Sequence, residues 1–232
     1  KESWFEDAAN LSDLKLRAGF GVTGNQDFSS YKSLLLMDPF SFYYYDGKWV
    51  TSYAPASNPN PNLAWERKNE FNIGVDFAFF GNRFGGTLDY YYRLTTNLLY
   101  NYTVPVPPYD YGTIFTNVGS ICNQGLELTL FGTPVQKKNV EWNTTLTLAK
   151  NSNKLIKFTN EEFTSGEYKV GYMSTPIGAY SQRLIEGQSL GTFYAPIWTG
   201  VNKKGEDTLE GANMLTGKVK EEDWKNVGSA YP

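Results

Sequence analysis

The 232-residue chain contains no histidine and a single cysteine, Cys122. Without imidazole, the sequence excludes Ser-His-Asp and Cys-His catalytic groups and zinc sites with histidine ligands. One thiol forms neither an internal disulfide nor a Cys-x-x-Cys site, so Cys122 is interpreted as a small, semi-apolar residue near the start of a strand. The chain is not expected to be an enzyme, and we expect no catalytic residue, no metal site and no cofactor.

The sequence also lacks long apolar runs and any excess of basic residues. No run reaches the roughly 18 apolar residues of a membrane-spanning helix. The net charge is −3 with both signs interspersed, so a nucleic-acid partner is not expected. Clustered carboxylates are interpreted as solvated loop charge, because paired glycosidase carboxylates must lie about 5–9.5 Å apart across a substrate. These clusters are Glu161–Glu162, Glu206–Asp207 and Glu221–Asp223.

Aromatic residues and glycine are abundant. Aromatic side chains make up 16 % of the residues, and 22 glycines and 11 prolines indicate many turns, a mixture that favours β-sheet. Residues 70–79 and 84–94 each alternate between apolar and polar side chains. Strands of soluble proteins usually have about 5–6 residues, whereas about 9–11 tilted residues cross a bilayer. Both runs are therefore long enough to span a membrane as strands.

Further alternating segments cover residues 14–20, 125–131 and 140–148, with a less regular one near 183–194. The connections between the strands are long (22–69), short (81–83), long (96–121), modest (132–139) and long (150–182). Outer-membrane barrels have short periplasmic turns and long external loops, whereas a soluble sandwich has no reason to sort its loops in this way. The apolar faces would then meet lipid, and Asp76, Asp89, Arg93 and Glu127 would point into the lumen.

Several motifs occur in one order along the chain: residues 14–26 (LKLRAGFGVTGNQ), 60–66 (NPNLAWE), 72–76 (NIGVD), 88–91 (LDYY), 117–119 (NVG), 123–127 (NQGLE) and 191–194 (GTFY). In this order and spacing the chain resembles the SusC/RagA-type TonB-dependent outer-membrane transporters, nutrient importers typical of glycan-using Bacteroidota. The resemblance covers nearly the whole chain. It implies a location in the bacterial outer membrane and a barrel of about 22 strands with a plug inside.

The same resemblance implies four partners. They are a SusD-like surface lipoprotein that covers the mouth, TonB through parts outside this chain, an oligosaccharide or peptide substrate, and outer-membrane lipid. The expected fold is all-β, with antiparallel strands of a transmembrane barrel and long extracellular loops. About six strands cannot close a barrel without leaving unpaired edges in lipid. Residues 1–232 are therefore expected to be part of a larger barrel domain, with the plug and the closing strands outside the chain.

Two external loops contain candidate substrate-binding residues. Flat rings can stack on the apolar face of a sugar or peptide, and a neighbouring carboxylate can accept hydroxyl protons. The alternative is that these rings pack the loops against each other or against the lid protein. The candidates are Tyr43, Tyr44, Tyr45, Asp46, Trp49, Tyr109, Asp110 and Tyr111.

A second function class also fits the alternating strands. A soluble, secreted all-β carbohydrate-binding or glycan-degrading module would pack the same apolar faces between two sheets. The two classes make opposite predictions for the structure. A transporter wall requires an outward apolar band about 25 Å tall, whereas the soluble module requires those side chains to be buried.

Overall fold

The computed structural model describes residues 10–159, 167–174, 178–210 and 221–229. Glu161 and Glu162, interpreted above as loop charge, lie outside these residues. A 3₁₀ turn covers Glu221–Asp223. Within the described residues, no helix is long and apolar enough to cross a membrane. The strands are β1 (Leu11–Asn25), β2 (Met37–Tyr45), β3 (Lys48–Pro55), β4 (Glu66–Phe79), β5 (Phe84–Thr96), β6 (Leu99–Thr103), β7 (Thr113–Asn117), β8 (Ser120–Lys137), β9 (Val140–Lys157), β10 (Glu167–Met173), β11 (Ala179–Ile185), β12 (Thr192–Ala195), β13 (Trp198–Val201), β14 (Asp207–Leu209) and β15 (Lys225–Ser229).

Five long strands form one antiparallel sheet in the order β1-β4-β5-β8-β9, which we call the large sheet. These strands contain 13 to 18 residues, more than the roughly 9–11 needed to cross a bilayer. The strands predicted over residues 70–79 and 84–94 correspond to β4 and β5, which pair from Arg67↔Thr96 to Phe79↔Phe84. The predicted all-β, antiparallel fold is confirmed.

The less regular strand predicted over residues 183–194 is divided in two. β11 ends at Ile185 and β12 begins at Thr192, and both belong to a separate four-stranded sheet in the order β10-β11-β12-β15. Between them, Gly187 and Gly191 have φ angles of +83° and +67°. This left-handed conformation interrupts a strand, and glycine adopts it without a steric penalty. The large sheet therefore has five strands where the sequence suggested about six.

Long and short connections alternate along the large sheet, as predicted. Residues 80–83 join β4 to β5, and residues 138–139 join β8 to β9. Residues 26–65 separate β1 from β4 and contain the hairpin β2–β3, while residues 97–119 separate β5 from β8 and contain the hairpin β6–β7. The long connections therefore meet at one end of the large sheet, where β1 ends and β4 begins. We call this end the rim.

One face of the large sheet is apolar and exposed. Leu16 and Phe20 are 70 % and 72 % exposed on β1. The register continues this face across the sheet by placing Leu16 beside Val75 and Val75 beside Leu88. A soluble sandwich would bury these side chains between two layers, whereas a barrel wall presents them to lipid. The exposed side chains of this apolar face include Leu14, Leu16, Phe20, Val22, Phe71, Ile73, Leu88, Tyr92, Leu126, Leu130, Leu146 and Leu148.

Buried apolar side chains cluster at the rim. We call this cluster the rim core, and its buried members are Tyr102, Val104, Ile114, Val118, Leu155 and Phe158. The ring of Phe158 lies 5.2 Å from that of Tyr100 in β6 and 6.1 Å from that of Tyr168 in β10. The rim core therefore joins the hairpin β6–β7 to the end of β9 and to the second sheet.

Val75 lies near the middle of the apolar face, and Val75→Lys is expected to block assembly of the barrel. A lysine on the lipid face near the bilayer midplane costs about 2–4 kcal/mol. The amount of heat-modifiable, folded protein in outer-membrane fractions measures insertion.

Thr129→Lys is the matched control. Thr129 pairs with Thr87 on the polar face, so a lysine there would remain in water, and insertion should be unchanged. If Val75→Lys inserted as efficiently as Thr129→Lys, the assignment of the two faces would be wrong.

Candidate functional site

The polar face carries an ion cluster near the middle of the large sheet. Arg17 Nη2 lies 2.8 Å from Asp76 Oδ1 and 2.7 Å from Asp89 Oδ1, and Arg17 Nε donates to Asp76 at 3.0 Å. One guanidinium thus connects β1, β4 and β5. We call these three residues the wall cluster. The register places Asp89 directly opposite Glu127, so the predicted common face of Asp76, Asp89 and Glu127 is confirmed.

Glycine makes room for the polar side chains of this face. A Cβ atom at Gly74 would lie 2.2 Å from Asp89 Oδ1 and 2.7 Å from Arg17 Nη2. A Cβ atom at Gly125 would lie 2.7 Å from Cε1 of Tyr91. Distances below about 3 Å are not tolerated, so either side chain would displace its neighbour. The glycines within the motifs at 72–76 and 123–127 therefore serve close packing on the polar face.

A second group of charges lies nearer the rim. Arg93 Nη2 donates to Glu70 Oε1 at 3.1 Å, and Lys68 Nζ lies 3.6 Å from Glu70 Oε2. The Arg93 guanidinium carbon lies 4.7 Å from the centroid of the Tyr91 ring. The Tyr91 hydroxyl donates to Asn151 Oδ1 at 2.9 Å. Arg93 is therefore held in position by a carboxylate and by an aromatic ring.

These side chains border an open groove of about 590 Å³, which we call the rim groove. Its polar lining includes Lys68, Tyr91, Arg93, Asn123, Asn151 and Asn153. Among the described residues, no group of three or more histidine, cysteine, aspartate or glutamate side chains is arranged to hold a metal ion. The side chains that line the rim groove offer hydrogen bonds and charge to a ligand.

Tyr43, Tyr44, Tyr45, Asp46 and Trp49 lie at the tip of the hairpin β2–β3. Asp46 and Gly47 form its turn with φ angles of +47° and +76°, which are typical of a type I′ turn. The ring centroids of Tyr44 and Trp49 lie 5.5 Å apart, and those of Tyr43 and Tyr45 lie 6.5 Å apart. All four rings are at least half exposed, so the tip is an accessible aromatic surface.

Tyr109, Asp110 and Tyr111 lie in the connection between β6 and β7. Tyr109 packs against the rim core. The side-chain amide of Asn58 donates to the carbonyl oxygens of Tyr111 and Thr113 at 2.6 and 2.8 Å, and its oxygen accepts from the N–H of Asp110 at 3.1 Å. Asp110 and Tyr111 are exposed. This loop has a fixed backbone and presents two of its three predicted side chains.

The two predicted groups of residues occupy separate surfaces. The hydroxyl of Tyr111 donates to the carbonyl of Pro55, at the base of the hairpin β2–β3. Trp49 lies six residues from Pro55 along β3, which corresponds to about 20 Å at roughly 3.3 Å per residue. The contact of the eight predicted residues with cargo therefore stays a prediction, and the hairpin tip is the more accessible of the two surfaces.

Sequence reasoning missed a structural role for asparagine at the rim. Asn117 Oδ1 accepts from the N–H of Ala64 at 2.7 Å, and its Nδ2 donates to the carbonyls of Ala64 and Asn97 at 2.8 and 2.9 Å. Asn60 Nδ2 donates to the carbonyl of Phe115 at 3.1 Å. A side-chain amide carries the same donor and acceptor as a peptide group, so these residues act as substitute strand partners. The motifs at 60–66 and 117–119 contained the signal.

The carboxylate of Glu186, which follows β11, binds the two residues that follow β9. Glu186 Oε1 accepts from the N–H of Phe158 at 2.6 Å and from the hydroxyl of Thr159 at 2.7 Å. These hydrogen bonds, that of Phe158 foremost, lower the pKa of Glu186. Because the folded state favours the anion, this contribution to the rim core is present at neutral pH and is lost as the pH falls through the lowered pKa.

Gly74→Ala is expected to destabilise the folded barrel, since its methyl group would push Arg17 away from Asp89. Overpacking of this kind costs about 1–3 kcal/mol. The midpoint of heat unfolding in detergent should fall. Gly21→Ala is the control, because Gly21 lies on the same face and a Cβ there meets no atom within 4 Å. Equal midpoints for the two variants would contradict the close packing over Gly74.

Asn117→Ala is expected to loosen the connection at 56–65 from β7, since it removes both hydrogen bonds between Asn117 and Ala64, worth about 0.5–1.5 kcal/mol each. Amide hydrogen exchange at Ala64 should become faster. Asn62→Ala is the control, because Asn62 is exposed and its backbone N–H makes the hydrogen bond to Asn60 Oδ1. Unchanged exchange at Ala64 in Asn117→Ala would show that other contacts hold the connection.

Comparison with known proteins agrees with the fold described above. The family model described as TonB dependent receptor-like, beta-barrel matches residues 9–211. TonB-dependent receptor P39 of Formosa agariphila is 30 % identical over 196 residues, 84 % of this chain and 17 % of that protein. TonB-dependent receptor SusC of Bacteroides thetaiotaomicron is 29 % identical over 203 residues, 78 % of this chain and 20 % of that protein.

Solved structures show the same architecture. The RagAB peptide importer in its 'open-open' state is 25 % identical and superposes with a TM-score of 0.74 over 98 % of this chain and 23 % of that chain. The 'closed-closed' state gives a TM-score of 0.76. The chain spans about a fifth of the length of the curated relatives it matches. The predicted resemblance and outer-membrane location are confirmed, and the chain belongs to the TonB-dependent receptor-like β-barrel family, with similarity to the SusC/RagA type.

Proposed function

We propose that the full-length protein is an active importer, which takes up glycans or other large nutrients together with a SusD-like surface lipoprotein. In this function the chain supplies part of the barrel wall and the external loops. TonB would act through parts outside this chain. One superposed structure is described as a peptide importer, which supports import. Oligosaccharides and peptides are both candidate cargo.

The observation that carries this proposal is the contrast between the two faces of the large sheet. Leucine and phenylalanine side chains are exposed on one face, while paired charges and asparagines occupy the other. Charges on the lipid face would be costly, whereas a water-filled lumen accepts them. The soluble module would need the opposite exposure, because its apolar faces must be buried between two sheets.

The hairpin β2–β3 supports a lipoprotein partner at the rim. Its rings at Tyr44, Tyr45 and Trp49 are 63–71 % exposed. Exposed apolar patches of this kind mark binding surfaces, and tyrosine and tryptophan are enriched in protein interfaces. The neighbouring exposed apolar residues are Leu34, Leu35, Leu36, Met37, Phe40, Phe42 and Tyr53.

Some of the same side chains are proposed to contact cargo. A ring at the tip can stack on a sugar or peptide while Asp46 accepts a hydrogen bond from a hydroxyl group. Tyr111 and Asp110 offer the same two kinds of contact on the other surface. The proposal includes no covalent chemistry on the cargo. Uptake would therefore deliver the oligosaccharide or peptide unchanged.

Uptake by cells tests the proposal. Cells with the full-length protein and its lipoprotein should accumulate fluorescent oligosaccharides or peptides, and a deletion strain should not. A protonophore should abolish accumulation while leaving surface binding intact, because the energy comes from the inner membrane. Accumulation in the deletion strain would contradict import by this protein, and accumulation in the presence of the protonophore would contradict active import. Chemical change of the cargo by the purified protein would contradict the absence of catalysis.

A further inference from the structure

The rim groove has the properties of an anion-binding site, and this inference rests on the proposed function as an importer. It lies on the polar face, where Arg93 pairs with Asn123 and Asn123 pairs with Asn153 across the strands. On the same face of the sheet, the next row of residues toward the rim contains Leu155, which belongs to the rim core. The groove therefore lies just inside the mouth of the pore, where a solute that enters would meet it early.

Two cations share one carboxylate beside the groove. Lys68 and Arg93 both face Glu70, at 3.6 Å and 3.0 Å. This arrangement leaves one net positive charge. In the wall cluster, by contrast, Arg17 is paired with two carboxylates and has no charge to offer. The positive excess therefore lies at the groove, toward the rim.

The groove also presents more donors than acceptors. Asn151 Oδ1 accepts from the hydroxyl of Tyr91, while its Nδ2 makes no hydrogen bond among the residues that the structure describes. Within the described part of the chain, the Asn123 amide and Arg93 Nη1 make no hydrogen bond. Lys68 adds an ammonium group that is 43 % exposed. Such a set of cationic and amide N–H donors matches an oxyanion.

We propose that the rim groove binds a carboxylate group of the cargo. Lys68 and Arg93 supply the charge, and Asn123 and Asn151 donate hydrogen bonds from the neighbouring strands. The stacking of Arg93 on Tyr91 fixes the guanidinium before the ligand arrives, which reduces the entropy lost on binding.

Binding by the full-length protein with its lipoprotein tests this proposal. The probes are tetragalacturonate and its methyl ester, and triglutamate peptide and triglutamine. Lys68→Gln should weaken binding of an anionic probe about three- to tenfold, as expected for loss of one charged contact. Binding of the neutral partner of the same probe should be unchanged. A loss confined to tetragalacturonate identifies an acidic sugar, and a loss confined to triglutamate identifies an acidic peptide.

Lys15→Gln is the matched control, because Lys15 lies opposite Asp76 on the same face but farther from the rim. Equal affinity of Lys68→Gln and the wild type for both anionic probes would overturn the proposal. An equal loss in Lys15→Gln would also overturn it, since the effect would then be one of overall charge.

Chemical labelling tests the groove without transport. In a Cys122→Ser background, a cysteine introduced by Asn123→Cys should react faster with an anionic methanethiosulfonate than with a cationic one. The anionic probe that binds should slow this reaction. Protection of the cysteine from both reagents would mean that another part of the protein fills the groove, and would overturn the inference. Charge-selective labelling in cells that fail to accumulate any probe would overturn the importer proposal alone.

Discussion

Hydrocarbon offers no partner to a backbone N–H or C=O group, and this constraint organises the large sheet. Each inner strand pairs along its length with a neighbour on either side, as β4 does with β1 and β5. Strands that cross a membrane must be long, and they return by short turns at one end. The side-chain alternation follows from the same geometry, because successive residues of a strand point to opposite faces. The apolar side chains of one face then lie against lipid, and the polar side chains of the other face lie in water.

The polar face is organised by charge pairing at close range. Arg17 connects three strands through Asp76 and Asp89, and it reaches both only because Gly74 has no side chain. Nearer the rim, Arg93 is fixed between Glu70 and Tyr91. The two groups differ in net charge, since Arg17 of the wall cluster is paired with two carboxylates while the rim groove retains a positive charge. The barrel wall thus contains an ion cluster that connects three strands and, nearer the rim, a groove that is open to ligands.

The external loops have no lipid to organise them and therefore form a core of their own. Phe158, Tyr102 and Leu155 bring together segments that are distant in sequence. Asparagine side chains complete the structure by acting as strand partners, as Asn117 does for Ala64. A fixed base of this kind lets the hairpin β2–β3 project an aromatic tip. An exposed aromatic tip on a well-packed base is suited to binding a partner or a cargo.

The sequence by itself determined the centres of the five long strands, their two faces and the order of long and short connections, because these follow from local alternation and turn residues. It did not predict the hairpins β2–β3 and β6–β7, which lie within the predicted connections. Glu127 could be assigned to the face of Asp89 from periodicity alone. The tertiary structure decided which residues meet across strands: the contact of Arg17 with Asp89, the fit over Gly74, and the groove at Arg93. It also placed Tyr109 in the rim core and separated it from the tip at Trp49. Register and loop packing depend on contacts between distant segments, which a periodic pattern does not contain.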